Sequence, residues 1–193
     1  MHTKILALLF AITLFLTGCV NVATTGAQAV YNHHSLQKTI GDQYITSQAY
    51  NDLYQRSIQF KETSISVSTL NGEVLLSGQV STEWQKSKAE KIVRAIPGVD
   101  EVYNSISVEG QASALVEVSD TWITTKIKAK LIASGDVDAT QIKVVTENGT
   151  VYLMGTVLPE EAKAATELAS DTDGVQKVVR LFSYIRITKH LYL

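Results

Sequence analysis

The chain has 193 residues, with 17 basic and 19 acidic side chains and a formal charge of −2 at pH 7. That balance excludes nucleic-acid binding through bulk charge, and 45% hydrophobic side chains belong to a globular protein rather than a disordered one. The single cysteine excludes an internal disulfide and leaves no cysteine cluster for a metal.

Lys4 precedes a 12-residue apolar stretch, Ile5 to Leu16, which runs into Leu16-Thr17-Gly18-Cys19. A basic start, a short apolar middle and a small-residue exit make a signal peptide over residues 1–18. The stretch is well short of the roughly 20 residues of a spanning helix. The "LTGC" tail resembles the lipobox of bacterial lipoproteins, which implies cleavage before Cys19, diacylglycerol on its sulfur and an acyl chain on its new amine. Each buried methylene of such chains contributes about 0.8 kcal/mol, enough in sum for lasting attachment. No other cofactor is expected. Val20 follows the cysteine; an aspartate there would resemble an inner-membrane retention signal, so its absence favours the outer membrane, facing the periplasm.

Cleavage leaves 175 residues and removes one lysine, for a formal charge of −3. Residues 19–40 read as the lipidated start and a tether, rich in Ala, Thr, Gln, Asn and Gly, without a period that would bury a face. Its His33-His34 pair has no third ligand placed by the sequence, and no metal site is expected.

The rest of the chain is duplicated. "SISVSTLNGEVLLSGQV" (64–80) aligns without gaps with "QIKVVTENGTVYLMGTV" (141–157), and "DQYIT" (42–46) and "GVDEV" (98–102) match "DTWIT" (120–124) and "GVQKV" (174–178) after one-residue shifts. A period of about 77 residues is domain-sized and predicts units at 41–110 and 115–187, followed by a tail at 188–193. Each unit reads as helix, strand, Asn-Gly turn, strand, helix, Gly turn, strand. Asn-Gly between alternating runs is the strongest short hairpin signal, because a type I′ turn needs positive φ at both central positions. Alternation in the second strand predicts one face in the core and the other in solvent. Gly78 and Gly155 interrupt the apolar face, predicting a close approach by a packed helix. Second helices are expected from Thr82 to Ala95, capped by Thr82, and from Pro159 to Ser170, opened by Pro159. The fold class is therefore α+β: two αββαβ units, each a small three-stranded mixed sheet covered on one face by two helices.

Two such units with an "NG-V-x-L-x-G-x-V" hairpin and a closing "GV-x-x-V" resemble the BON domain, a module of periplasmic and outer-membrane proteins. The stretch "TENGTVYLMGTVLPEEAKAATELASDTDGVQKV" carries the resemblance most closely, and "DTWITTKIKAKL" extends it into the first helix of the second unit. A lipobox followed by two units resembles a dual-BON lipoprotein. The resemblance implies a non-enzymatic protein that supports outer-membrane integrity. It also implies a second unit that binds anionic phospholipid such as phosphatidylglycerol and directs the protein to division sites, and an effect on the outer-membrane β-barrel assembly machinery.

The residues of that helix, taken over 120–133 with side chains 100° apart, can be read independently. Ile123, Ile127 and Leu131 form one stripe toward the sheet. Trp122, Thr125, Ala129 and Ile132 fall opposite, flanked by Lys126 and Lys128, with Lys130 nearer the buried stripe. Trp and Ile among lysines suit an anionic bilayer interface, with the indole at headgroup depth and ammoniums on phosphates. The alternative is that Trp122 and Ile132 pack against the other unit. The first unit's equivalent face, Tyr44, Ser47, Asn51 and Tyr54 with Asp42 and Asp52, has no lysine. A protein-binding role, on the assembly machinery or on peptidoglycan-linked partners, is the competing functional reading. No small-molecule substrate is expected.

No catalytic residue is expected. His2, His33, His34 and His190 stand beside no nucleophile. Glu160-Glu161 opens a helix, where carboxylates favour the positive end of the dipole. Gly149 and Gly155 lie in a hairpin rather than a phosphate loop. Trp84 reads as a packing residue.

Overall fold

The computed structural model describes residues 41–109 and 114–185. The signal peptide, Cys19, the tether with His33-His34, and the 188–193 tail lie outside the described residues. Residues 41–50 form helix α1, which ends in a π-helical turn at Asn51–Gln55. Strands β1 (Ser64–Leu70) and β2 (Glu73–Val80), helix α2 (Glu83–Arg94), and strands β3 (Glu101–Asn104) and β4 (Ser107–Val108) complete the first unit. The second unit comprises α3 (Ala114–Ser134), β5 (Ile142–Glu147), β6 (Thr150–Val157), α4 (Pro159–Ser170) and β7 (Lys177–Tyr184).

The hairpins follow from their turn residues. Asn71 and Gly72 adopt φ of 54° and 84°, and Asn148 and Gly149 adopt 49° and 70°, the double positive φ that a tight hairpin requires. Each turn is clamped by an aspartate of the preceding helix, Asp42 near the start of α1 and Asp120 about two turns into α3. Both carboxylate oxygens of Asp42 accept from the N–H groups of Asn71 and Gly72, at 2.8 and 2.9 Å. Asp120 does the same to Asn148 and Gly149, at 2.7 and 2.9 Å. One carboxylate thus satisfies two turn donors and fixes each helix to its hairpin. The duplicated Asp therefore marks this clamp, a job that alignment alone did not assign.

The sheets run β1-β2-β3, with β4 also on β2, and β5-β6-β7; each first pair is antiparallel and each later pair parallel. In the second unit the third strand is continuous over eight residues. In the first it is broken, because Ile106 turns into the core at 1% exposure between β3 and β4. One face of each sheet is covered by its helices. Ile45, Ala49 and Leu53 of the first unit pack with Val74, Leu76 and Val93, and Ile123, Ile127 and Leu131 of the second with Val151, Leu153 and Ala165. Thr82 caps α2 by accepting from the Gln85 N–H, while the Gln85 side chain accepts in return from Thr82, a box worth about 1 kcal/mol.

Two expectations are corrected. The close neighbour of Gly78 is the adjacent strand and that of Gly155 is the residue leading into its adjacent strand, not a packed α-helix. A Cβ at Gly78 would lie 1.9 Å from the Ser64 carbonyl oxygen, and one at Gly155 2.6 Å from that of Gln141. The second face of the sheets is also not in solvent. Leu75, Tyr152 and Met154, all on that face, are buried together with Leu70, Tyr103, Val145, Val179 and Leu181 packed around them. The two sheets stack through these side chains, each full burial contributing about 1.5–3 kcal/mol. Polar bonds rim the stack: Gln79 Nε2 donates to Glu147 Oε1 at 2.7 Å, Lys143 Nζ to the Thr69 carbonyl at 3.0 Å, and Ser183 Oγ to Glu73 Oε1.

Candidate membrane interface

Helix α3 starts at Ala114, six residues before the Asp120 start expected from sequence. Ile123, Ile127 and Leu131 are at most 1% exposed, so the inward stripe is as read. On the outward side Trp122 is 55% and Ile132 74% exposed, and Thr125 and Ala129 are exposed between them. The extra helical turns add Val118, 69% exposed, which sequence reasoning missed by starting the helix too late. At 100° per residue, positions 118, 122, 125, 129 and 132 fall within an arc of about 80°. The period was visible once the helix was extended backward.

A lysine stands on each flank of this arc. Lys126 lies 4.1 Å over the Trp122 ring and 2.9 Å from Asp173, whose carboxyl its hydrogen bond holds below the usual range. Lys128, on the opposite flank, is exposed and forms no hydrogen bond or ion pair with a described residue. Lys130, half-buried as expected, donates to the Asp171 carbonyl. The surface pair Lys126–Asp173 is worth little in water and is easily exchanged for another anion. Trp122 and Ile132 do not serve as the contact between the units, since the stacked sheets supply that contact.

Helix α1 is built differently. Tyr54 does not take the outward place expected of it. Tyr50 and Tyr54 stack with ring centroids 6.1 Å apart and turn their hydroxyls onto the edge of β1. There they accept from the Val67 and Ile65 N–H groups at 3.1 and 2.7 Å. Asp42 is taken up by the turn clamp, and Asp52 pairs with Arg56. Trp84 is likewise corrected: it stands 58% exposed in the first turn of α2 rather than packed. Near it, Ile58 is 75% exposed, and Gln85 bridges the two segments by donating to the Gln59 carbonyl.

Glu161 has a structural role, accepting from the Leu158 and Asp138 N–H groups at 2.8 and 3.1 Å. Among the described residues no group of three or more His, Cys, Asp or Glu side chains is placed to hold a metal, and no helix is long and apolar enough to cross a membrane.

Known proteins carry the same plan. The chain is 35% identical over 187 residues to the outer membrane lipoprotein DolP of Haemophilus influenzae, spanning 94% of this chain and 96% of that one. It is 41% identical over 140 residues to the 21 kDa hemolysin of Actinobacillus pleuropneumoniae, covering 72% and 71%. With osmotically-inducible protein Y of Escherichia coli it shares 33% identity over 165 residues, 82% of each. The BON domain profile matches twice, over residues 42–110 and 119–186, so both clamped hairpins fall within it and the chain belongs to the BON domain family.

Proposed function

We propose that this protein is a non-enzymatic outer-membrane lipoprotein, held by acyl chains on Cys19 and facing the periplasm, whose helix α3 binds anionic phospholipid and so supports envelope integrity. The observation that carries the reading is the outward arc of α3, where Val118, Trp122 and Ile132 are each more than half exposed between flanking lysines. The identity to a protein named as an outer-membrane lipoprotein over nearly the whole chain supports the location.

In this reading Ile132 and Val118 enter the acyl boundary and Trp122 lies at headgroup depth. Lys126 leaves Asp173 for lipid phosphate, and Lys128 finds its first strong anion there; each contributes about 1 kcal/mol near an anionic surface. Thr125 and Ala129 keep the helix surface low enough to approach the bilayer. The covalent lipid supplies attachment, and α3 supplies the choice of surface.

The test is co-sedimentation of the mature domain lacking Cys19 with vesicles. Wild type is expected to bind phosphatidylglycerol vesicles and not phosphatidylcholine ones, with loss in Trp122→Glu and in the Lys126→Ala/Lys128→Ala double variant. Undiminished binding by these variants, shown folded by circular dichroism, would remove α3 from the account.

A further inference from the structure

The duplication exposes a difference between the two outer strands. Strands β1 and β5 are each the edge of their sheet. Their registers are equivalent, Ile65↔Gly78 with Val67↔Leu76 and Ile142↔Gly155 with Val144↔Leu153. Ile65 and Val67 therefore point their N–H groups away from β2, as their bonds to Tyr54 and Tyr50 require. By the same parity Val144 and Thr146 turn their N–H and C=O groups away from β6. The Ile142 N–H also points outward and is taken up by the Ala139 carbonyl.

In the first unit two tyrosine hydroxyls close this edge at Ile65 and Val67, while the outward N–H of Thr69, the counterpart of Thr146, bonds no described residue, so the two edges differ at Val144. In the second, the core matches Ala49 with Ile127 and Leu53 with Leu131 bring Lys128 and Ile132 to the places of Tyr50 and Tyr54. Neither reaches the edge, and no described residue bonds the outward N–H of Val144 or Thr146. Beside this open edge lies a groove of about 510 Å³, walled by β5, by α3 and by the serines of β1. Lys128 and Lys143 stand at one end of it and Glu147, with Asp120 and Glu117, at the other, about 13 Å apart along the strand. Lys143 donates to the Thr69 carbonyl; burial and the Lys128 ammonium hold its ammonium below the usual range, and the Asp42 carboxylate opposes them.

We propose that the outer edge of β5 receives an extended peptide segment of a partner protein, which adds as a fourth strand in this groove and places an acidic side chain between Lys128 and Lys143. The main chain supplies the affinity, through paired N–H and C=O groups of Val144 and Thr146, and the charged end sets the register. Small side chains suit the Ser66 and Ser68 wall. This site is separate from the outward arc of α3, although Lys128 borders both.

The test is selection of blocked hexapeptides from a random library on the mature domain, followed by amide hydrogen exchange. Selected peptides are expected to alternate in polarity, to carry one acidic residue toward an end, and to slow exchange at Val144 and Thr146 at least tenfold. N-methylation of alternate peptide nitrogens should abolish the effect, as should Lys128→Tyr, which restores the closing hydroxyl of the first unit. In the free protein the Val144 amide should exchange faster than that of Val67. Failure to enrich any such peptide, enrichment of peptides that leave those amides unchanged, or equal binding by N-methylated peptides would overturn the proposal. Protection of the same amides by phosphatidylglycerol vesicles in place of peptide would assign the groove to lipid and overturn it too.

Discussion

Single residues decide how the two hairpins are held. Asp42 and Asp120 each give both carboxylate oxygens to consecutive turn N–H groups. Hydrogen bonds to a charged group contribute roughly 1.5–3 kcal/mol each, and the N–H groups left behind in a half-buried turn lose their acceptor. Asp120→Ala is therefore expected to destabilise the second unit by about 2–4 kcal/mol in urea unfolding, and Asp120→Asn, which retains one acceptor oxygen, by less. A second residue sets a pH dependence. Burial holds the Glu147 carboxyl above its usual range, with Asp120 and Glu117 pushing the same way and the Gln79 hydrogen bond opposing them. A raised folded-state pKa contributes stability that is present below the unfolded value, about 4.3, and is lost as pH rises through the folded one. Glu147→Gln removes that slope while keeping a carbonyl for Gln79. Its urea midpoint should change less than that of wild type between pH 4 and pH 8, and should be the higher of the two at pH 8; an unchanged slope would exclude Glu147 as the source.

At the scale of elements, the sequence makes legible whatever is local. Asn-Gly with alternating neighbours specifies each hairpin because the turn geometry needs only those residues. Thr82 and Pro159 mark the starts of α2 and α4 for the same reason, and the helix bounds agree with the structure. The inward stripe of α3 was readable from its period, and Trp122, Thr125, Ala129 and Ile132 share its outward side. Val118 escaped because Asp120 looked like a helix start, whereas its carboxylate serves a turn 28 residues away. The role of Tyr50 and Tyr54 was equally hidden. A hydroxyl reaching an edge strand leaves no periodic mark, and only the paired comparison with Lys128 and Ile132 gives it meaning.

At the scale of the molecule, what was least legible is the contact between duplicated units. Sheet stacking joins Leu75 to Tyr152 and Met154 across a separation of nearly eighty residues, and no local pattern reports such a pairing. A signal existed in the outward parity of β2 and β6, where Leu75, Tyr152 and Met154 are apolar at positions a solvent-facing side would make polar. Stacking the sheets occupies their helix-free faces and leaves the outward side of α3 uncovered by the other unit. The chain carries two tryptophans, Trp84 in the first unit and Trp122 on α3, both exposed. Each reports on its own surroundings, so the proposed lipid contact of α3 can be read from Trp122 alone. The most direct measurement is therefore the tryptophan fluorescence of the Trp84→Phe variant, in which Trp122 is the sole tryptophan, on phosphatidylglycerol vesicles with brominated acyl chains. A blue shift with strong quenching, absent on phosphatidylcholine vesicles, is the predicted result; unshifted and unquenched emission from vesicle-bound protein would contradict membrane recognition by α3.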